Sequence, residues 1–276
     1  WAVIAGASEG LGAAFARLLA SHGIHLILVA RRRQPLEAFA DDLTAQHGIA
    51  TVPIGTGTNS VTIGAGHTGA LTIAIATGID VVAAANYTGT LTVTADDDSI
   101  TSADSLTGGT GTSDNLVITG SGAALVAADL VNVTGFEIIT ATTNTANGIT
   151  LHDNNVAAGK SLTIDGTALT TSVFTVDASN ETDGNITITA GGAGAHIITL
   201  GHGADTYNST SSGVDTVVAT AGANTISTGA GADVITSGTG ADTINAGAGT
   251  DTVKYSAGFA NYTFARSNDD LLIQDT

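Results

Sequence analysis

The chain has 276 residues, enough for one or two domains, with 36 glycines, no cysteine, no methionine, 4% aromatic and 12% charged residues. Without cysteine a disulfide framework is excluded, so stability must come from packing or from metal. The net charge of −18 falls wholly on residues 55–276, where Lys160, Lys254 and Arg266 face 21 carboxylates; such a surface repels nucleic acid and anionic lipid and attracts cations.

Residues 1–54 have a style of their own. Residues 2–5 are an apolar run suited to a buried strand, 6–12 form a glycine-rich turn, and 13–22 have helical periodicity with Phe15, Leu18 and Leu19 on one face. A second buried strand is predicted over 24–30, a second helix over 35–47 ended by Gly48, and a third strand over 51–54. The order β-α-β-α-β favours a parallel, Rossmann-like sheet. After Gly55 the helical signal gives way to short stretches in which apolar residues and Thr alternate, at 71–75, 91–94, 116–119, 162–164 and 186–189. Period two with β-branched residues predicts strands with one buried face. Only 122–139 departs from this style, and a short helix is expected over 124–131. Abundant small residues favour coils stacked in a solenoid over a core of large side chains. No apolar run is long enough for a membrane span and no signal peptide is present. Opening at Trp1 without an initiator methionine, the chain reads as a fragment.

Between about Gly192 and Tyr255 the sequence repeats itself. Nonapeptides run without a gap from Gly229, Gly238 and Gly247. Each places a second glycine (Gly231, Gly240, Gly249), an aspartate (Asp233, Asp242, Asp251) and an aliphatic residue (Ile235, Ile244, Val253) at the same offsets. Weaker copies stand upstream: Gly222 with Asn224 and Ile226, and Gly213 with Asp215 and Val217. Gly201 and Gly203 precede Asp205 and Tyr207 one residue out of step, and Gly192 and Gly194 precede His196 and Ile198. The glycines permit positive φ and let backbone carbonyls approach an ion. The aspartate supplies the hard anionic oxygen that Ca²⁺ takes. The aliphatic side chain points inward and stacks on its equivalent in the next coil. In the competing reading the aspartates only cap turns by hydrogen bonding.

The repeat resembles the RTX nonapeptide family, G-G-x-G-x-D-x-U-x, with the first consensus glycine replaced by Thr228, Ser237 and Ala246. That resemblance implies a parallel β-roll with two nonapeptides per coil, so that residues 18 apart share an edge. One edge then carries Asp215, Asp233 and Asp251. The other carries Asp205, Asn224 and Asp242, with the slip after Asp205. The implied calcium set is Gly201, Gly203, Asp205, Gly213, Asp215, Asn224, Gly229, Gly231, Asp233, Gly238, Gly240, Asp242, Gly247, Gly249 and Asp251, strongest on the first edge because Asn224 is neutral. Residues 256–276, with Phe259, Tyr262, Phe264 and an apolar run at 271–273, resemble the aromatic strands that close RTX blocks, with a turn at Asn268-Asp269. Residues 55–190 are similar in style to the Thr-rich repeats of bacterial surface-layer and adhesin proteins. Asp96, Asp97 and Asp98 with Asp104 could bind another calcium, but an acidic run is usually just solvated, and that is the reading favoured.

At the other end, Ala5-Gly6-Ala7-Ser8-Glu9-Gly10-Leu11-Gly12 follows a predicted strand and opens a helix, the context a dinucleotide-binding turn needs. It resembles the T-G-x-x-x-G-x-G motif of short-chain dehydrogenases/reductases, with Ala5 in place of Thr. The resemblance implies NADP held at Gly6, Ser8, Gly10 and Gly12, with Arg31 and Arg32 at the 2′-phosphate. That family's Tyr-x-x-x-Lys pair is missing, since none of Tyr87, Tyr207, Tyr255 and Tyr262 has Lys four residues on. Hydride transfer is therefore not expected. The segment is a fused fragment, a cap on the solenoid or a remnant kept for structure.

The expected protein is mainly β: a Rossmann-like segment (1–54), a Thr/Gly-rich solenoid (55–190), a calcium-binding β-roll (191–255) and capping strands (256–276). The leading function is a calcium-binding secreted or cell-surface structural protein of bacterial type, exported by type I secretion, with self-association or a surface polysaccharide as its contact. The alternatives are an NAD(P)-binding reductase-like protein and the export module of a secreted enzyme. No Ser-His-Asp grouping, zinc-type spacing or paired catalytic carboxylates support the last. His152-Asp153 and Gly201-His202-Gly203 stand isolated.

Overall fold

Two apolar runs and a glycine-rich link build the start of the chain. The computed structural model describes residues 1–7, 9–30, 33–47, 51–54, 58–66, 68–120, 124–142, 147–255, 262–267 and 270–275. β1 (Ala2–Ala5), α1 (Gly10–Ser21), β2 (Leu26–Val29), α2 (Arg33–His47) and β3 (Thr51–Ile54) follow in the predicted order. β2 lies between β1 and β3 and is parallel to both, which is half of a doubly wound sheet. α1 stops at Gly23, whose φ of +74° only glycine adopts cheaply and whose N–H bonds the Ala20 carbonyl. Leu26, Leu28, Leu36 and Leu43 pack with Ala16 and Ala20 as the small core of this unit.

Of the expected apolar face of α1 only Leu19 packs against the core, and it is partly buried. Ala16 and Ala20 turn inward, while Phe15 and Leu18 are 52% and 53% exposed. With only three strands, the sheet offers nothing beyond β1 to cover them, and Val3 on β1 is exposed as well. Arg17 lies 4.7 Å over the Phe39 ring and bonds Asp42 at 3.0 Å, which ties α1 to α2 at the surface.

From Asn59 to Tyr255 the chain winds as a parallel β-solenoid. Among the described residues, one face is a nine-stranded sheet from Leu71–Ala74 to Thr243–Asn245. The opposite face has two parts: four strands from Asn59–Thr62 to Val133–Thr134, then six from Asn147–Thr150 to Thr252–Tyr255. The alternation of apolar residues and Thr becomes an alternation of buried and partly exposed positions. Register then stacks like on like. Ile73, Val93, Leu116, Ile139, Ile164, Ile188, Tyr207, Ile226 and Ile244 form one inward column. Ile149, Val176, Ile198, Val217, Ile235 and Val253 form the facing one. Each fully buried aliphatic side chain contributes about 1.5–3 kcal/mol by leaving water.

Coil length first rises and then falls along the chain, starting from 20 residues between Leu71 and Leu91 on the long face. Successive rungs of the long face lie 25 residues apart at Ile138 and Thr163, 19 at Thr187 and Thr206, and 18 at Thr225 and Thr243. The helix expected over 124–131 does not form. Leu125 bridges to Ile149 as part of the solenoid face, and a turn follows with Leu130 buried. Pairing to the neighbouring coil outweighs the local helical tendency of a segment this short. Tyr262–Ser267 and Asp270–Asp275 pair antiparallel. Phe259 and the expected turn at Asn268 and Asp269 lie outside the described residues.

Candidate metal sites

The turns of the solenoid are set by glycine. A Cβ added at Gly203 would overlap the Gly184 carbonyl oxygen, one at Gly222 that of Gly203, and one at Gly240 that of Gly222. The opposite edge repeats this with Gly213 on Gly194, Gly231 on Gly213 and Gly249 on Gly231. A third series sets Gly229 on Ser211 and Gly247 on Gly229, while Gly238 crowds Ala219 and Gly201 lies against Glu181. Carbonyl oxygens of successive coils are thus brought into columns that no larger residue would permit.

The aspartates follow the same columns. The Asp215 N–H donates to Asp233 Oδ1 at 2.8 Å, and the Asp233 N–H to Asp251 Oδ1 at 3.0 Å, each 18 residues on. On the other edge the Asp205 N–H donates to Asn224 Oδ1 and the Asn224 N–H to Asp242 Oδ1, both at 3.0 Å. The first of these steps is 19 residues and the second 18, so the slip falls after Asp205. Glycine and aspartate of all the nonapeptides are therefore brought together at the two edges.

Hydrogen bonding accounts for only half of three of these carboxylates. Asp205 Oδ2, Asp215 Oδ1 and Asp233 Oδ2 are buried with no hydrogen-bond partner, and the three residues are at most 1% exposed. An unpartnered buried carboxylate oxygen is costly. Burial pushes the Asp205 and Asp215 carboxyls above the ordinary carboxylate value; hydrogen bonds to each act the other way, and beside Asp215 the Asp233 carboxylate adds to the rise. A hard divalent cation would give these oxygens a partner and cancel the repulsion, so the residues present fit calcium.

The two edges differ in kind. Asn224 turns its amide Nδ2 to the carbonyls of Ala221 and Gly222 and to Asp242 Oδ1, and Ser237 donates to Asp242 Oδ2 at 2.6 Å. That stretch satisfies itself. At Asp215, Tyr207 donates to Oδ2 at 2.9 Å and leaves Oδ1 bare. His196, which stands where an aspartate would, is buried, lies edge-on to Phe174 at 6.3 Å and has Nε2 3.1 Å from the Gly191 carbonyl. It serves packing.

Two orphaned carboxylate oxygens outside the repeats were not legible in the sequence. Asp80 Oδ2 and Glu181 Oε2 are buried without a partner. Asp80 belongs to an upstream version of the same ladder: its N–H donates to Asp104 Oδ1 at 2.6 Å and its Oδ1 accepts from Asn59 at 2.5 Å. Asp104 also accepts from Thr101, so it does not join Asp96, Asp97 and Asp98, whose carboxylates approach one another without it. Leu91 and Asp114 continue the ladder on the long face, with the Asp114 N–H donating to Glu137 Oε2. Alternation about an Asp or Asn just before a strand is the signal that would have revealed it.

At the N-terminus, Gly6 and Gly10 adopt φ of +69° and +62°, and a Cβ at Gly12 would overlap the Gly6 carbonyl. The turn and the start of α1 thus have the close backbone packing expected of a phosphate-binding turn, and Glu9 at the N-cap makes no capping side-chain bond. Ser8, Arg31 and Arg32 lie outside the described residues. Val3, Ile4, Leu11 and Phe15 line an apolar cleft beside the turn.

Comparison with known proteins finds matches in two parts of the chain. The model of the RTX calcium-binding nonapeptide repeat matches residues 209–244 and 228–259, and that of the short chain dehydrogenase matches residues 1–63. A very-long-chain 3-oxoacyl-CoA reductase-like protein of Arabidopsis thaliana is 55% identical over 42 residues, 15% of this chain and 14% of the relative. The very-long-chain 3-oxoacyl-CoA reductase of Aspergillus clavatus is 45% identical over 51 residues, 18% of this chain and 15% of the relative. An inactive hydroxysteroid dehydrogenase-like protein of Rattus norvegicus is 40% identical over 52 residues, 19% of this chain and 16% of the relative. The chain thus spans only about a seventh of the length of these relatives. No solved structure matches it. The solenoid carries RTX calcium-binding repeats, and the chain that bears them begins with a short-chain dehydrogenase segment.

Proposed function

We propose that the chain is a calcium-stabilised structural solenoid that works outside the cell, at a surface, in the manner of surface-layer and adhesin proteins. The carrying observation is the row of buried carboxylate oxygens left without partners along the nonapeptide edges. Calcium held by Asp205, Asp215, Asp233, Asp242 and Asp251 with the glycine carbonyls beside them would link each coil to the next, so folding and binding are one process. A chain that stays loose at low calcium and folds at the higher calcium outside the cell suits type I secretion. Among the described residues no helix is long and apolar enough to cross a membrane. The charge of −18 disfavours nucleic acid, leaving self-association or a surface polysaccharide as the contact.

The second reading is nucleotide binding by residues 1–54, favoured by the Gly6-Gly10-Gly12 turn at the start of α1. The relatives' names include both reductases and an inactive dehydrogenase-like protein, and with no Tyr-x-x-x-Lys pair here this reading is of binding without hydride transfer. Far-ultraviolet circular dichroism on the full chain separates the two. A coil-to-β change on adding calcium is expected. Folding that ignores calcium, together with protection by NADP(H), would overturn the first reading in favour of the second.

The edges are expected to differ in strength. Asp233→Asn should loosen calcium binding more than Asp205→Asn, because Asp233 sits between two carboxylates and Asp205 is followed by the self-satisfied Asn224. Calcium titration of both variants checks this, and equal losses would refute the assignment of edges.

A further inference from the structure

Outside the nonapeptides, the stacking of coils gathers three acidic residues that are far apart in sequence. Asp153 opens the short turn Asp153–Asn155 after the strand Asn147–Thr150. That turn is anchored in the core, since Asn155 is buried and donates to the carbonyls of Leu130 and Val133 at 2.7 and 2.8 Å. Glu181 and Asp183 lie one coil on, after the strand Phe174–Asp177. Asp153 Oδ1 joins the coils by accepting from the Thr182 N–H at 3.0 Å and the Thr182 hydroxyl at 2.8 Å. The Asp183 carbonyl accepts from the Gly159 N–H at 3.0 Å. Carboxylate oxygens of Asp153, Glu181 and Asp183 all lie within 4.8 Å of one another.

The independent sign of a ligand is at Glu181. This residue is 0% exposed. Its Oε1 accepts from the Gly184 N–H at 2.8 Å and the Asp183 N–H at 3.2 Å, while Oε2 is buried with no partner. The charged groups that act on it are Asp153 and Asp183, both acidic. Burial, chiefly, with a smaller contribution from those two charges, pushes its carboxyl above the ordinary glutamate value. A buried carboxylate near two further anions is relieved either by a proton or by a cation standing between them, and only the cation serves all three at neutral pH. Oxygens at opposite sides of a calcium ion, each about 2.3–2.6 Å from it, are about 5 Å apart, so three oxygens within 4.8 Å of one another are close enough to share one ion. We propose that Asp153, Glu181 and Asp183 hold a calcium ion that staples two successive coils upstream of the nonapeptide block. The site lies outside residues 209–259, which match the RTX repeat, and it stands or falls apart from the function assigned to those repeats.

The test counts calcium bound to the full chain by equilibrium dialysis, with calcium alone as the probe. Asp183 is exposed, so Asp183→Asn keeps the fold, which circular dichroism verifies. This variant is expected to bind one ion fewer, or to bind one ion about tenfold more weakly. Glu181→Gln, of the same shape, should lose the same ion. In Asp233→Asn that ion should remain while binding in the nonapeptides weakens, which separates the two assignments. A count and a binding curve unchanged in Asp183→Asn overturn the site, whatever Glu181→Gln does.

Discussion

Withdrawing calcium at neutral pH is expected to unfold the nonapeptide coils, and lowering the pH is expected to restore part of their stability. Both effects have one source. Burial raises the carboxyl groups of Asp205 and Asp215 above the ordinary aspartate value of 3.8. A carboxyl whose folded value is raised prefers the folded state when neutral. Its contribution is present below the ordinary value and is lost as pH rises through the raised one. In a chelator the folded state therefore weakens from about pH 4 towards neutrality, and protons substitute for the missing cation. Thermal unfolding followed by circular dichroism should show the midpoint rising as the pH falls from 7 to 4.5, by about 2–4 °C for each kcal/mol regained. With saturating calcium the same scan should lose this trend, because ion and proton compete for the same oxygens. A midpoint in chelator that falls steadily with acid would show that these carboxylates are not the source of the instability.

Gly222→Ala is expected to cost about 3 kcal/mol or more, among the largest effects of any single methyl group in the chain. Two penalties combine there. The φ of +89° is disfavoured for any residue with a Cβ, and that Cβ would overlap the Gly203 carbonyl oxygen of the preceding coil. Relief would require the coils to move apart, which breaks the column of Tyr207 and Ile226 beneath. Gly159→Ala is the internal control. Its φ of +69° is similarly unfavourable, but nothing lies within 4 Å of the added atom. It should cost only about 1 kcal/mol, from the backbone alone. Urea midpoints at saturating calcium compare the two. Equal losses would mean that conformational preference, and not contact between coils, explains the glycine at 222.

The neutral Asn224 shows how the ladder manages without a full set of charges. Its side chain is both acceptor and donor, so it takes the Asp205 N–H and donates to the carbonyls of Ala221 and Gly222. An aspartate at the same place lacks the donor. One edge is thus held by the chain itself near its centre, whereas on the other Asp215 and Asp233 each keep one buried carboxylate oxygen without a hydrogen-bond partner.

Local pattern determined much of this protein. The order β-α-β-α-β, the nonapeptide period and the strands with one face of Val, Ile and Leu follow from residue type and spacing, whereas the 18-residue stacking and the step after Asp205 were implied by the resemblance to RTX repeats and are the register observed. Three things depended on tertiary structure. The burial of Ala16 and Ala20 in place of Phe15 and Leu18 was decided by the number of strands present, which the periodicity of a helix does not contain. The segment near Leu125 was decided by its neighbour Ile149, whose pairing exceeds a weak local helical tendency. The meeting of Asp153 with Glu181 and Asp183 was decided by the stacking of coils of irregular length, 27 residues between Asn147 and Phe174, where no repeat marks the register. In regular coils the sequence carries its own ruler. In irregular ones only the backbone pairing sets which carboxylates face each other.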